Sequence, residues 1–559
     1  MLKMNPFKTA YLSALTLQHF HTRQILYLLK DRFFRRFGAN LKYEESNIPM
    51  PMPFPVRFFC EDLPPFVSVN SDGSVSVDVF GVKFNWSEGE KWYFNPGDTL
   101  RPETLHYLEF LYHLLRGAET SNHRLSVKIA LDFLKQHKKA THPYYSAYTT
   151  ARRLIVLLLL HQFANEDEKR VLESAIAAHA HQITDHLEYH LSANHLFKCA
   201  KGLLFSGLFI RHPRASLWRY RASQILKNEI KRQILADGCH YERTFTYHCA
   251  VMEDLLDIET ALATQRTFPE LRHLAKTKLL KMADFLARCL HPDGMMPLFG
   301  DSAYGLAPTP QFLIKAVNDR FATTTKTPTE DVLELGASGY CGVRFPNGTF
   351  LIVNAGRMGA PDQPGHAHCD LFSFEFSICG ERLIVDTGVY DYTSGARRDY
   401  ARSTAAHNTV QIDNYEQALF WSVHRFATLA LPRHTRTIFD KDKQVLYLLL
   451  TGNAYRKFGP THLRRITCTP ESLIVSDSMM PAAPFFVTYH FSPFCQPVTP
   501  NLIENKRVRI KIQTSEDVNW CHTPYFFRAG IEEKKLTCKI GRSHRDHERG
   551  DILVRFFLQ

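Results

Sequence analysis

At 559 residues the chain can hold two or three domains of ordinary size, and 45% hydrophobic with 22% charged residues is the composition of a folded protein, not a disordered one. Repeats of fixed period and low-complexity tracts are absent, which excludes a solenoid. The formal net charge of +12, from 68 Lys and Arg against 56 Asp and Glu, favours polyanionic partners but does not choose among nucleic acid, acidic glycan and acidic membrane.

Residues 1–40 read as a basic helical arm. The opening MLKMNPFKTAYLSALTLQHFHTRQILYLL has an apolar stretch broken by Gln18, His19, His21 and Arg23, and no small-residue cleavage site follows. That pattern fits an amphipathic helix better than a signal peptide. No later stretch reaches the ~18 uninterrupted apolar residues of a membrane span. Twelve cysteines are scattered without a CxxC, as expected of reduced, buried thiols. The expectation is a soluble protein of the cytoplasm, with the periplasm as the alternative.

Prolines 51, 53, 55, 64 and 65 punctuate the next segment, and VSVNSDGSVSVDVFGVKFNW then alternates around an Asp-Gly turn, a hairpin signal. Residues 1–100 thus form an arm and a hairpin segment. From 101 to about 321 the period becomes helical. PETLHYLEFLYHLL, AYTTARRLIVLLLLHQF, ANHLFKCAKGLLFSGLFI and five similar stretches carry apolar residues at three- and four-residue steps between short breaks. Many such helices on short loops predict antiparallel hairpins, closed as a ring or packed as a bundle. A Thr-rich linker at 323–328 ends this region, and residues 335–559 turn to β: YCGVRFPNGTFLIVNAG, LFSFEFSICGERLIVDTG and HLRRITCTPESLIVSDSM predict antiparallel strands packed as a sandwich.

Four clusters carry chemistry. Asn194-His195 opens a predicted helix, where Asn reads first as an N-cap. DGCHYERTFTYH crowds His240, Glu242, Arg243, Tyr247 and His248 at a helix start, either as a site or as a surface loop. HPDGMMPLFGDSAYG is a Gly/Pro-rich loop in which Asp301 and Ser302 could orient a substrate. The strongest is GHAHCD, followed by Asp386 in LIVDTG and His407 in RSTAAHN. If extended, His366 and His368 share a face, and with Asp386 and His407 they make a plausible zinc set. Arg397, Arg398, Arg402 and Arg425 lie nearby in sequence, with a fork suited to carboxylate or sulfate; taken singly, each reads as a solvated surface residue.

The run GHAHCDLFSFEF…GERLIVDTGVYDY…ARRDYARSTAAHNTV resembles the C-terminal domain of the heparinase II/III family of polysaccharide lyases. The helical segment with Asn194-His195, DGCHYERTFTYH and PLFGDS resembles that family's N-terminal domain. The resemblance implies an incomplete (α/α) toroid, residues 101–325, followed by an antiparallel β-sandwich, residues 335–559, with an acidic polysaccharide in the cleft between them. It implies that Asn194 and His195 bind and neutralise a uronate carboxylate, that Tyr247 and His366 are catalytic, and that His368, Asp386 and His407 bind a metal, usually zinc. His240, Glu242, Arg243 and Arg402 are expected at the substrate, and Tyr392 or Tyr400 as a second tyrosine.

The expected reaction is β-elimination from a uronic acid: a base removes the C5 proton and the 4-O-linked sugar leaves. Deprotonation piles a second charge onto the carboxylate, so donors such as the Asn194 amide and His195 must stabilise it. Tyrosine has an ordinary pKa of about 10 and needs cationic neighbours to act as a base, whereas histidine titrates near neutrality. Tyr247 is therefore expected to protonate the leaving oxygen, with His366 or Tyr247 as base according to the stereochemistry at C5. The alternatives are a uronyl C5-epimerase using the same residues and a non-catalytic glycan-binding or capsule-assembly protein. A nucleic-acid partner is not expected, since no binding motif is present.

Overall fold

Among the described residues, ten helices lie between 100 and 321, and from the third of them on most touch the helix two places further along. The structure, a computed structural model, describes residues 6–37, 39–40, 66–98, 100–116, 119–137, 139–140, 146–455, 460–505, 507–541 and 551–559. The basic arm is two helices, α1 (Pro6–Leu17) and α2 (Thr22–Phe37), broken around the His19-Phe20-His21 stretch where the apolar period lapses. The predicted hairpin is a three-stranded meander of Phe66–Val69, Val75–Val79 and Val82–Trp86, and the proline-rich residues 50–65 lie outside the described residues.

The helical region comprises α3 (Leu100–His106), α4 (Leu111–Leu115), α5 (Thr120–Gln136), α6 (Ala147–Leu160), α7 (Glu166–Asp185), α8 (Ala193–Phe209), α9 (Ala215–Gln233), α10 (Phe245–Thr264), α11 (Pro269–Cys289) and α12 (Pro310–Phe321). The starts are written in the sequence: Ser146 caps α6, Asn165 and Glu168 form a capping box on α7, and Thr309 caps α12 with Pro310 following. PETLHYLEFLYHLL is two short helices, because Leu108 sits at φ +60° between them. Helix α6 packs on α8, α8 on α10 and α10 on α12, while α5 packs on α7 and α9 on α11. This two-layer order is that of an incomplete (α/α) toroid. Helix α8 belongs to the inner layer: every residue but His195 is buried, and its two buried lysines, Lys198 and Lys201, are paired with Asp254.

The second half is built of antiparallel sheets. The first has the order Glu381–Ile384, Phe374–Ile378, Phe350–Asn354, Tyr340–Arg344 and Asp331–Leu335. Its three central strands are buried at every position. Tyr340, Phe350 and Ile352 join the helical core, while the alternate residues Cys341, Val343, Leu351 and Val353 join the core of the sandwich. A strand run such as FLIVN, apolar on both faces, therefore marks a middle layer between toroid and sandwich. An eight-stranded sheet from Pro432–Asp440 to Gln496–Thr499 and a four-stranded sheet complete the sandwich.

Toroid and sandwich are tied by directed bonds. The Tyr340 hydroxyl donates to the carbonyl of Arg243 at 2.8 Å, Arg288 pairs with Asp331 at 2.7 Å, and Nδ1 of His291 lies 2.8 Å from the Ser377 hydroxyl. In the sandwich, buried Arg464 faces Asp477 across neighbouring strands and also donates to the carbonyls of Phe372 and Asn408. Those carbonyls belong to the loops that follow the first two and the third site histidines.

Candidate active site

Between the toroid and the sandwich lies a cleft of about 380 Å³ lined by Asn194, His195, Glu242, Tyr247, His366 and Tyr392, with His424 at its edge. The amide, phenol and imidazole that the motifs singled out thus come together from two domains.

Asn194 is not the cap of α8. Ser192 and Ala193, at φ +55° and +46°, turn the chain so that Asn194 is already inside the helix. Its amide then faces across to α10 and donates to Glu242 at 3.1 Å. Left-handed backbone at two non-glycine residues is strained, and the Ala193 carbonyl is held by Gln233 at 3.0 Å. His195 stacks on Tyr148 with ring centroids 4.4 Å apart, and its Nδ1 meets Glu188 at 2.6 Å. Burial pulls His195 down, but the bond to Glu188 and its charge outweigh that and raise its pKa.

Tyr247 leaves the first turn of α10. Its ring packs against His366, tilted by 32° with 4.0 Å between centroids, and its hydroxyl lies 2.9 Å from that of Tyr392. Burial, then Tyr392 and Asp301, push the Tyr247 phenol well above its ordinary range, so it stands protonated. Glu242 is buried beside it, and burial raises its carboxyl despite His366 and Asn194.

The hub of the site is Asp301. One carboxylate oxygen is 2.8 Å from Nδ1 of His366, and the other is 2.7 Å from Nε2 of His368. Arg398 donates to both. Burial alone would raise Asp301; Arg398 and the two histidine bonds outweigh it and hold the carboxyl well below the usual range. Gly300 makes this possible. At φ +57° it brings the loop so close to the carbonyl of His366 that a Cβ would sit 2.9 Å from it. His366 closes a short 3-10 turn, Pro364–His366, instead of lying in a strand, yet both rings of the HxH pair still reach one carboxylate.

Other expected substrate contacts are not made. His240 is fully buried, 2.9 Å from Gln233, and is absent from the cleft lining. Arg243 is committed to the carbonyls of Tyr241, Ala337, Ser338 and Gly359, bracing toroid against sheet. Arg402 is buried, lies over the Phe420 ring at 3.6 Å and holds the carbonyls of Ser422 and Val423, so it supports the hairpin before His424. Tyr400 packs edge-on against Phe526 away from the cleft, so of the two tyrosines only Tyr392 lines it. Of the arginines read as solvated, Arg397 and Arg425 are exposed, but Arg398 and Arg402 are not. Sequence reasoning gave Asp301 too little weight and missed Glu188, Tyr148 and His424, none of which stands in a motif.

The metal set needs a correction. Asp386 contacts Nδ1 of His407 at 2.9 and 3.0 Å, on the other edge of the ring from Nε2. The carboxylate therefore orients His407, as partners of metal-bound imidazoles do, and does not share a face with it. The rings of His368 and His407 are 5.3 Å apart, and Nδ1 of the first and Nε2 of the second are buried without a hydrogen-bond partner among the described residues. Two buried imidazole nitrogens without a hydrogen-bond partner on neighbouring rings are donors of the kind a cation takes. A second group, Asp301, His366 and His424, offers one donor atom each, all within 4.8 Å of one another, and could also hold an ion. There Arg398 already compensates the carboxylate.

Residues 149–321 match the heparinase II/III N-terminus and residues 327–549 the heparinase II/III-like C-terminal domain. The chain belongs to the heparinase II/III family. Among curated members, the heparin-sulfate lyase of Pedobacter heparinus is 27% identical over 264 residues, which is 43% of this chain and 39% of that protein. The heparin-sulfate lyase of Bacteroides stercoris is 25% identical over 265 residues, again 43% and 39%. The matches thus span about two fifths of these relatives. A solved heparinase III structure superposes with a TM-score of 0.70 at 15% identity, covering 94% of this chain and 88% of that one. The heparan sulfate lyase HepC from Pedobacter heparinus gives 0.56 at 17% identity, covering 85% and 79%. These likenesses extend the toroid-plus-sandwich fold of the heparinase II/III family over nearly the whole chain.

Proposed function

We propose that the chain is a polysaccharide lyase that cleaves an anionic, uronic-acid-containing glycan by β-elimination. The observation that carries this reading is the contact of the Tyr247 ring with His366, 4.0 Å between ring centroids, in the cleft that also holds Asn194 and His195.

In the tautomer that Asp301 selects, His366 carries its proton on Nδ1 and offers the Nε2 lone pair to the cleft. That nitrogen takes the C5 proton, and the Asp301 carboxylate stabilises the imidazolium that forms. Electrons from the C–H bond become the C4–C5 double bond as the C4–O bond breaks. The protonated Tyr247 gives its proton to the departing oxygen, and its hydroxyl contact with Tyr392 keeps it aimed. Charge accumulating on the uronate carboxylate is met by the Asn194 amide and by His195, whose pKa is raised by Glu188. Preorganised donors of this kind are each worth about 3–4 kcal/mol when removed.

Zinc is the ion proposed for the His368 and His407 nitrogens, since neutral imidazoles suit it. Bound there, it would hold the loop of His366 against the segment of His407 and act on geometry.

The relatives' names make heparin or heparan sulfate the first polymer to try, beside hyaluronan, alginate and chondroitin. Lyase action gives new ultraviolet absorbance from the unsaturated uronate and shorter chains. Solvent deuterium at C5 without shortening would replace this reading with epimerisation, and neither signal on any uronate polymer would end it.

A further inference from the structure

Helices α1 and α2 use one face each to hold the fold together. Leu12 is buried, the Thr16 hydroxyl contacts the Phe426 carbonyl and accepts from the Trp421 indole at 3.0 Å, and Gln24 donates to the Asp362 carbonyl at 3.2 Å. The Arg23 guanidinium lies over the Tyr189 ring at 3.5 Å. The arm thereby straps the sandwich hairpin before and after His424 to the toroid segment before Asn194.

The opposite faces are apolar and open. Tyr11 is 65% exposed, Leu26 62% and Leu29 58%. Phe7, four residues before Tyr11, and Phe33, four residues after Leu29, extend these into stripes at helical spacing and are also exposed. Inner-face contacts already account for the arm's place in the fold, and Tyr11, Leu26 and Leu29 remain largely exposed outside them. Residues 1–40 also hold seven Lys or Arg against one Asp, a net +6, which is half of the chain's +12 in less than a tenth of its length.

An apolar stripe on a strongly basic helical arm is the chemistry of a helix lying in the plane of an acidic membrane surface. Charge decides among occupants. A second copy would bring +6 against +6, and a polyanionic glycan would use the cations but leave the leucines in water. No helix of the described residues is long and apolar enough to cross a membrane, so the arm would lie on the surface and not span it. We propose that the outer face of the α1–α2 arm seats this protein on an anionic lipid surface.

The test uses the full chain in co-sedimentation with vesicles of phosphatidylcholine alone or mixed with phosphatidylglycerol, at low and physiological salt. Binding is expected to the mixed vesicles only and to weaken with salt. Leu26→Ser with Leu29→Ser, and separately Lys8→Glu with Arg32→Glu, should each lower the partition coefficient by about tenfold or more. All four positions are exposed, and an unchanged Tm verifies folding. Absence of binding to mixed vesicles would overturn the proposal. So would binding that survives loss of both leucines, since that is plain charge attraction, or a concentration-dependent dimer in sedimentation velocity that the leucine substitutions abolish.

Discussion

The carboxylate of Asp301 lies 2.8 Å from Nδ1 of His366, and this contact selects which imidazole nitrogen faces the cleft. The acid comes from the loop after α11 and the base from the sandwich, so the pair exists only when the two domains are docked. Its oxygens are further fixed by Arg398 and His368. The His366 imidazole is thus held by a charge that is itself held, the condition that the proposed role of base sets for a ring that must sit within tenths of an ångström of a substrate proton.

Asp301→Asn keeps the shape of the hub but removes its charge and lets an amide N–H face one of the histidines. The expected result is a loss of about 10²–10⁴-fold in kcat with little change in KM, as for other groups that orient a catalytic histidine. Breaking the buried pair with Arg398 also destabilises, by about 3–5 kcal/mol, so a thermal melt must accompany the kinetics. A folded variant within about threefold of the parent kcat would refute the orienting role.

Tyr247→Phe and Tyr392→Phe separate donor from partner. Loss of the Tyr247 hydroxyl removes the proton for the leaving oxygen and should abolish turnover, while the ring still supports His366. Loss of the Tyr392 hydroxyl only frees its neighbour and should cost about 10–100-fold. Absorbance assays of both, with circular dichroism to verify the fold, decide the matter: equal losses, or an active Tyr247→Phe, would remove the phenol from the chemistry.

What was readable in the sequence follows from distance along the chain. The helices showed themselves by apolar residues at three- and four-residue steps and the strands around Asn-Gly by their turn, because both are local patterns; that FLIVN is buried on both faces was not read. Asn194, Tyr247 and His366 were found through their motifs. The hub was not, since Asp301 meets His366 65 residues away and Arg398 97 residues away. Nor could spacing choose between Tyr392 and Tyr400, eight residues apart around a short helix. Arg243 misled for a related reason. A charged residue among titratable neighbours looks catalytic until the four carbonyls it holds come into view.

Metal content tests the bare nitrogens. Protein purified without chelator is expected to hold about one zinc per chain by elemental analysis, and His407→Ala or His368→Ala should lose it. Chelation should lower the Tm, since an ion bound only by the folded state stabilises it. Restored zinc should bring the Tm back in the parent and not in the variants. A metal-free protein with full activity and an unchanged melt would exclude the ion.

The last prediction rests on Glu188 and His195. Burial raises the Glu188 carboxyl, but the bond and charge of His195 outweigh it and bring it from 4.5 to about 2. The same contact raises His195 above 6.5. The stabilisation from the depressed acid is present above pH 4.5 and lost as pH falls toward about 2. That from the raised histidine is full below pH 6.5 and lost as pH rises through its folded value. Stability from this pair should therefore be greatest between those limits and fall on both sides. If His195 meets the substrate carboxylate as proposed, binding should follow the histidine: KM rises on the alkaline side. Glu188→Gln removes the charge that raises His195, leaving at most a weaker bond to a neutral amide oxygen, and leaves its burial, so the KM rise should begin at lower pH than in the parent. Identical alkaline limbs in the two proteins would show that His195 does not bind as a cation.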